Sequence, residues 1–206
     1  MLFAFFITSV ALSFAGRARK RQLVDIAKGG PRDGRQVLAN GGIATLCAVA
    51  AIFVHDAALF YAFAGAYAAA TADTWSTEVG SPYGGTPRSI VSFAPLARGI
   101  SGGVTLLGSL AMLAGAAWIG YVAGGFWIVA AAGVTGALLD SLLGATLQSM
   151  RYCFTCRRTT ELYVHVCGTF AEPARGLRWM TNDAVNALAT LAGAAVAAGL
   201  FLFLPR

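Results

Sequence analysis

The sequence predicts an all-α protein: a polytopic transmembrane helix bundle of about six spans, one domain over residues 1–206, with cytoplasmic loops forming a polar site. Three observations carry this. The chain is 57% hydrophobic and only 12% charged, where a soluble domain carries about 25% charged residues. Its apolar residues fall into six segments, near 1–16, 37–54, 57–75, 104–122, 125–148 and 184–204. Its basic residues are confined to alternate connections between them. These features exclude a soluble enzyme, a disordered chain and a collagen-like fibre. The 25 Gly and the many Ala suit helices packed closely in a bilayer, where small residues let backbones approach.

Taken in order, segment 1–16 is short against the roughly 20 apolar residues a span needs. Its charges, Arg17 to Arg21, follow the apolar run instead of preceding it, so it is a span and not a secretory signal. Segments 37–54 and 57–75 are joined tightly at His55-Asp56, and 104–122 and 125–148 at Gly124-Gly125. Segment 57–75 turns polar at its end. The three long connections, 17–36, 76–103 and 149–183, fall on one side of the membrane by span parity. They hold every Lys and Arg except Arg206. The positive-inside rule makes that side cytoplasmic and places the N-terminus outside. The net charge of +6 is therefore read as topology, with contact to anionic headgroups, and not as nucleic-acid binding.

Ionisable residues in or at the edge of a span are costly and mark function by default. Asp73 lies in Ala-Thr-Ala-Asp73-Thr-Trp-Ser-Thr-Glu78-Val-Gly80, and Asp140 in Leu-Leu-Asp140-Ser-Leu-Leu-Gly144. Both stand towards the cytoplasmic ends of their spans. Asn40 opens the second segment, and Asn182-Asp183-Ala-Val-Asn186 opens the last. Four spans thus bring acids and amides to similar depth on one side. Oxygen donors of this kind suit Mg²⁺, which takes one or two carboxylates plus substrate phosphates. The plain alternative is that they are caps and interhelical hydrogen bonds, with Asn182 or Asp183 capping the last helix.

The 76–103 connection carries Arg88, Arg98 and Ser101-Gly102-Gly103. A Gly-rich turn opening a helix presents backbone N–H groups to an anion, and the two arginines could clamp phosphate oxygens. The stretch is neither a P-loop nor a dinucleotide fingerprint. In 17–36, Lys28, Arg32 and especially Arg35 are candidates for neutralising a phosphate.

Of four cysteines, Cys47 lies in a span and reads as a small apolar residue. Cys153, Cys156, His165 and Cys167 supply three thiols and an imidazole in one cytoplasmic loop, the donor set of a structural zinc site. Unliganded thiols and redox chemistry are the other readings.

Five ordered motifs add a resemblance: Arg35-Gln36-Val-Leu-Ala-Asn40-Gly, Ala72-Asp73-Thr-x-x-x-Glu78-x-Gly80, Ser101-Gly-Gly-Val-Thr105-x-x-Gly108, Asp140-Ser-x-x-Gly144-Ala-x-x-Gln148 and Asn182-Asp183-x-Val-Asn186. Together, over essentially the whole chain, they resemble the integral-membrane family that includes plant phytyl-phosphate kinase, itself distantly similar to CTP-dependent phytol and dolichol kinases. The Cys153–Cys167 stretch, with Thr160-Glu161, also looks like that family. Its members carry further apolar sequence upstream of what aligns with Met1.

The resemblance implies transfer of a nucleotide γ-phosphoryl, CTP favoured over ATP, to an isoprenoid monophosphate such as phytyl or geranylgeranyl phosphate. Set beside it, Asp73, Asp140 and Asp183 are expected to hold Mg²⁺ or act catalytically, with Glu78, Asn40 and Asn186 assisting. Ser101, Gly102, Gly103, Arg88 and Arg98 are expected to hold nucleotide phosphates, and Lys28, Arg32 and Arg35 the acceptor phosphate. A phosphate acceptor is already a nucleophile, so no general base is required. The rival from another class is a small-molecule or ion transporter using Asp73 and Asp140, but polar groups on one side do not make an alternating-access path. The signature of CDP-alcohol phosphotransferases is absent. The expected setting is the lipid bilayer (in a prokaryote, the cell membrane), with the site facing the cytoplasm and a homodimer compatible with the many small residues.

Overall fold

The computed structural model describes residues 1–20 and 33–204, with the backbone alone at 17, 18 and 20. Six helices are described: α1 (Leu2–Lys20), α2 (Gly34–Phe53), α3 (Ala57–Tyr83), α4 (Leu106–Ala123), α5 (Phe126–Thr146) and α6 (Asn182–Phe203). Local chemistry sets their ends. Asp33 caps α2 by accepting from Gln36 N at 3.0 Å, and Asp56 caps α3 by accepting from Ala58 N at 2.8 Å. Thr105 caps α4 by accepting from Gly108 N at 3.0 Å. Gly124 ends α4 in the left-handed region, φ 73°, which is why the α4–α5 corner is so short.

Four helices, α2, α4, α5 and α6, are long and apolar enough to cross a membrane on their own. The apolar part of α1, Leu2–Gly16, is shorter. Helix α3 is polar in its second half because it is the axis of the bundle: it touches α1, α2, α4, α5 and α6. A helix sheathed by five others need not satisfy lipid. Its inner positions are nearly all small, with Ala64, Ala66, Ala68 and Ala72 fully buried. Small residues let helices close on dispersion contacts where the hydrophobic effect gives no drive between them. The outer face is apolar, with Leu46, Ile52, Leu110, Leu138 and Leu191 exposed, and Tyr121 and Trp127 crown the α4–α5 corner as an interfacial belt.

Two expectations change. The third segment does not end at residue 75; α3 continues to Tyr83. The extension is held by packing: the Tyr83 hydroxyl donates to Ala15 O at 3.2 Å, and the Arg19 guanidinium sits 4.7 Å from the Tyr83 ring. Asp73 therefore lies well inside a continuous helix. The long connections also carry strand structure, so the chain is not purely helical. β1 (Arg88–Ser89) pairs antiparallel with β2 (Gly103–Val104). β3 (Met150–Cys153), β4 (Arg158–Thr160) and β5 (Glu172–Arg175) form a three-stranded antiparallel sheet in the order β4-β3-β5. Small sheets with open edges are viable only outside hydrocarbon, where water satisfies the unpaired backbone.

Candidate functional site: an acidic row beside an arginine-lined cleft

The site begins with a helix crossing. α3 and α5 run the same way, and a Cβ at Gly136 would stand 2.4 Å from Ala69 Cβ. The two backbones are that close. One turn further along each helix come Asp73 and Asp140, which brings the two carboxyls near enough to act on each other. Asp140 Oδ2 is buried and has no hydrogen-bond partner among the described residues. Two neighbouring carboxylates repel each other, and a cation between them relieves that repulsion.

Glu161, just past the end of β4, is the next acid. Its Oε1 accepts from the Ser101 hydroxyl at 2.7 Å and from Gln148 Nε2 at 2.8 Å. Its charge is felt by Asp140, and it feels that of Asp183 in the first turn of α6. Burial pushes the Glu161 carboxyl above its usual range, the bonds from Ser101 and Gln148 pull it back, and the Asp183 charge raises it again. Asp73, Asp140, Glu161 and Asp183 thus form a row drawn from α3, α5, the sheet and α6. Asp183 is not a cap, since Thr181 caps α6 by accepting from Ala184 N at 3.3 Å.

Because the folded state holds the Glu161 proton more tightly than the unfolded chain does, ionising it costs stability as pH rises above the ordinary carboxylate range. Glu161→Gln keeps the volume and the accepting oxygen without the charge. Its melting point in detergent is expected to exceed the wild type's by a few degrees at neutral pH, with the gap closing in acid. For a chain this size about 1 kcal/mol moves the midpoint by roughly 2–4 °C. An equal gap at all pH values would show that the fold does not raise the Glu161 carboxyl.

Beside the row lies a cleft of about 950 Å³, walled by Ser89, Ser92, Arg98, Ser101, Arg157, Arg158 and Arg175 among others. Four arginines around one opening give the cleft a positively charged wall. Ser101 belongs to both features, lining the cleft while donating to Glu161. Arg98 is anchored by its Nε to Gly85 O at 3.0 Å, and Arg175 by Nη2 to Gly144 O at 3.1 Å, which caps the last carbonyls of α5. A second, apolar groove of about 370 Å³ opens between α2 and α6, lined by Leu38, Gly42, Ile43, Thr45, Leu46 and Ala187.

Several expected residues are placed differently. The Ser101-Gly102-Gly103 turn does not open α4, whose cap is Thr105. Gly102, at φ 82°, presses on the end of α5, where a Cβ would meet Ala145 Cα at 2.4 Å. Gly103 lies in β2 and its N–H is committed to Ile100 O at 3.2 Å. The turn docks on the end of α5, and of its three residues Ser101 lines the cleft. Arg88 donates from Nη1 to Phe93 O at 2.9 Å and is not part of the cleft wall. Glu78 lies roughly 140° around α3 from Asp73 at 3.6 residues per turn, with its carboxylate towards Gly16 of α1. Asn40 is buried and donates from Nδ2 to Gln36 O at 2.9 Å within its own helix. Asn186 is half-buried on α6, and Arg35 is exposed in the first turn of α2. Lys28 and Arg32 lie outside the described residues.

The residues that sequence reasoning missed are Glu161, Gln148, Arg157, Arg158 and Arg175. Glu161 and Gln148 stood in the motifs, but nothing in one dimension shows that a strand end returns to the helix ends.

Cys153, Cys156, His165 and Cys167 do assemble: their ligand atoms all lie within 4.8 Å of one another. Hydrogen bonds with Thr169 and His165 draw the Cys167 thiol down to about 6, and hydrogen bonding to Cys167 pushes that of Cys156 up to about 11. The acids do not form such a closed group; among the described residues the Cys/His set is the one close enough to hold an ion unaided.

No solved structure matches the chain. Among curated proteins, Protein PGR of Arabidopsis thaliana is 31% identical over 225 residues, covering 93% of this chain and 77% of its own length. An uncharacterized membrane protein of Methanocaldococcus jannaschii is 37% identical over 156 residues, 72% of this chain and 64% of its own. Protein VTE6, chloroplastic, of Arabidopsis thaliana is 24% identical over 200 residues, 94% of this chain but 55% of its own length. The family described as integral membrane protein DUF92 matches residues 1–194, nearly the entire chain. With four helices long and apolar enough to cross a membrane, this chain is an integral membrane protein and belongs to the DUF92 family.

Proposed function

We propose that the protein is a membrane lipid-phosphate kinase, transferring the γ-phosphoryl of a nucleoside triphosphate, CTP favoured, to an isoprenoid monophosphate to give the diphosphate. The observation that carries this reading is the acidic row meeting an arginine-lined cleft at the end of an apolar bundle. Phosphoryl transfer asks for positioning and charge neutralisation more than covalent chemistry. Arg98, Arg157, Arg158 and Arg175 supply positive charge for the nucleotide's phosphates. Asp73 and Asp140, with an orphaned buried oxygen on Asp140, fit a hard divalent cation such as Mg²⁺. Bound there, the cation would neutralise charge building on the transferred group. Asp183 extends the row into α6, and Glu161, held by Ser101 and Gln148, ties the row to the cleft. The apolar groove between α2 and α6 suits a prenyl chain, leaving its phosphate at the interface. The resemblance to phytyl-phosphate kinase supports the same reaction class.

The test is to incubate purified protein with Mg²⁺, labelled CTP or ATP, and a panel of isoprenoid alcohols and monophosphates. Label in a lipid diphosphate is the expected result. Label reaching only alcohols would make it an alcohol kinase, and no labelled lipid from folded protein would overturn the reading. Within that assay, Arg158→Gln is expected to raise KM for the nucleotide about tenfold with a smaller change in kcat, the loss of one charge-assisted hydrogen bond. An unchanged KM would remove the cleft from nucleotide binding.

A further inference from the structure

We propose that Cys153, Cys156, His165 and Cys167 bind one zinc ion, and that this ion is the clamp that holds Glu161 in the acidic row. The four donors sit on two chain reversals. The first leaves β3 at Cys153 and returns at Arg158, its register partner. The second is closed by His165 N on Thr169 O at 2.9 Å and Gly168 N on His165 O at 2.8 Å. Each reversal carries two donors, and each turns back through a left-handed residue directly after the second: Arg157 at φ 52° after Cys156, and Gly168 at φ 85° after Cys167. A non-glycine residue in that region is uncommon. The repetition brings the donors of both turns to one point.

Distances decide between the possible uses of these groups. Cys153 Sγ and Cys167 Sγ are 3.6 Å apart, and His165 Nδ1 is 3.2 Å from Cys167 Sγ. A disulfide needs about 2.05 Å. Sulfurs on a regular tetrahedron around zinc, with Zn–S about 2.3 Å, stand roughly 3.8 Å apart. These two spacings are near those of ligands around a common centre, and the whole set lies within 4.8 Å. His165 is 3% exposed, yet its ring faces sulfur. Three thiolates, one neutral imidazole and Zn²⁺ leave one net negative charge, with Arg157 and Arg158 next in the chain.

The position of the cluster gives it a role. Glu161 lies midway between the second donor, Cys156, and the third, His165. An ion that joins them closes the segment containing Glu161 into a short loop and restricts its unfolded alternatives. The sheet has few buried large side chains: Met150 and Cys153 are the buried members of β3, and β5 is exposed throughout. A small element with so little core needs a staple.

The claim is independent of phosphoryl transfer, because its readout is metal content. Detergent-purified protein is expected to contain about one zinc per chain by elemental analysis. Titration with a mercurial should release that zinc in step with modification of three thiols. Cobalt exchanged into the site should show thiolate charge-transfer bands and tetrahedral visible bands. Cys156→Ser should lose the metal, while Asp73→Asn should keep it. Zinc removal should raise amide exchange across 150–175 and leave α3 to α6 unchanged. Protein that carries no zinc when prepared with the metal present overturns the site. A Cys153–Cys167 disulfide in freshly isolated protein does the same. Zinc whose removal leaves exchange at 150–175 unaltered overturns the clamp.

Discussion

Asp140→Asn is expected to lower lipid-phosphate turnover by about a hundredfold to a thousandfold while the bundle stays assembled. The magnitude is that of removing one preorganised group that acts on developing charge in a water-poor site. Asparagine keeps the shape and one oxygen, so packing at the α3–α5 crossing is untouched. It also removes one of two neighbouring carboxyls, so thermal stability without divalent cation is expected to stay equal or rise. That combination, activity lost and stability kept, separates a functional acid from a structural one. Asp73→Asn should behave alike. The double variant should be little worse than either single, because the pair acts as a unit. A labelled-nucleotide assay with a parallel melting curve checks this. If Asp140→Asn kept more than half of wild-type activity, the carboxyl pair would have no part in the chemistry.

Gly136→Leu is expected to fail earlier, at assembly. Even a single Cβ at Gly136 would lie 2.4 Å from Ala69 Cβ and 2.8 Å from Ala189 O, with α3 on one side and α6 on the other. Overpacking a close-fitted core typically costs about 1–3 kcal/mol, and more when the contact is backbone. At roughly 2–4 °C per kcal/mol for a chain this size, the midpoint should fall by about 5–10 °C or the protein should elute as aggregate. The same change at Gly199, where a Cβ would meet nothing within 4 Å, should be tolerated. Size-exclusion profiles and melting curves of the two leucine variants make the comparison. Equal behaviour would mean that the approach of α5 to α3 and α6 is looser than described. Any Gly136 variant that does fold should separate Asp73 from Asp140 and lose activity by that route.

The helices were legible because most spans are long, apolar and bounded by charge or by a tight turn. The same polarity pattern misplaced the end of α3. Residues 76–83 look like a loop, yet Tyr83 and its partners on α1 keep them helical. Asp73 and Asp140 were legible as costly residues in apolar surroundings. Arg88 and the Gly102-Gly103 turn were misleading, since arginine and glycine serve loop closure as readily as they serve phosphate. Arg88 binds Phe93 O, and Gly102 lies against Ala145. The Cys/His donors were legible as a set, because spacing in one loop limits where they can go.

By itself, the sequence determined the membrane setting, the helical class, the side on which charge gathers and the identity of the acids in the spans. Those properties follow from transfer free energy, which is summed residue by residue along the chain. Only the tertiary structure decided which acids meet. The contact of Asp73 with Asp140 depends on Gly136 closing on Ala69, and the placing of Glu161 depends on a strand end folding back to Ser101 and Gln148. Such contacts join residues far apart in the chain, and their energy lies in packing between helices, which no local pattern of polarity encodes.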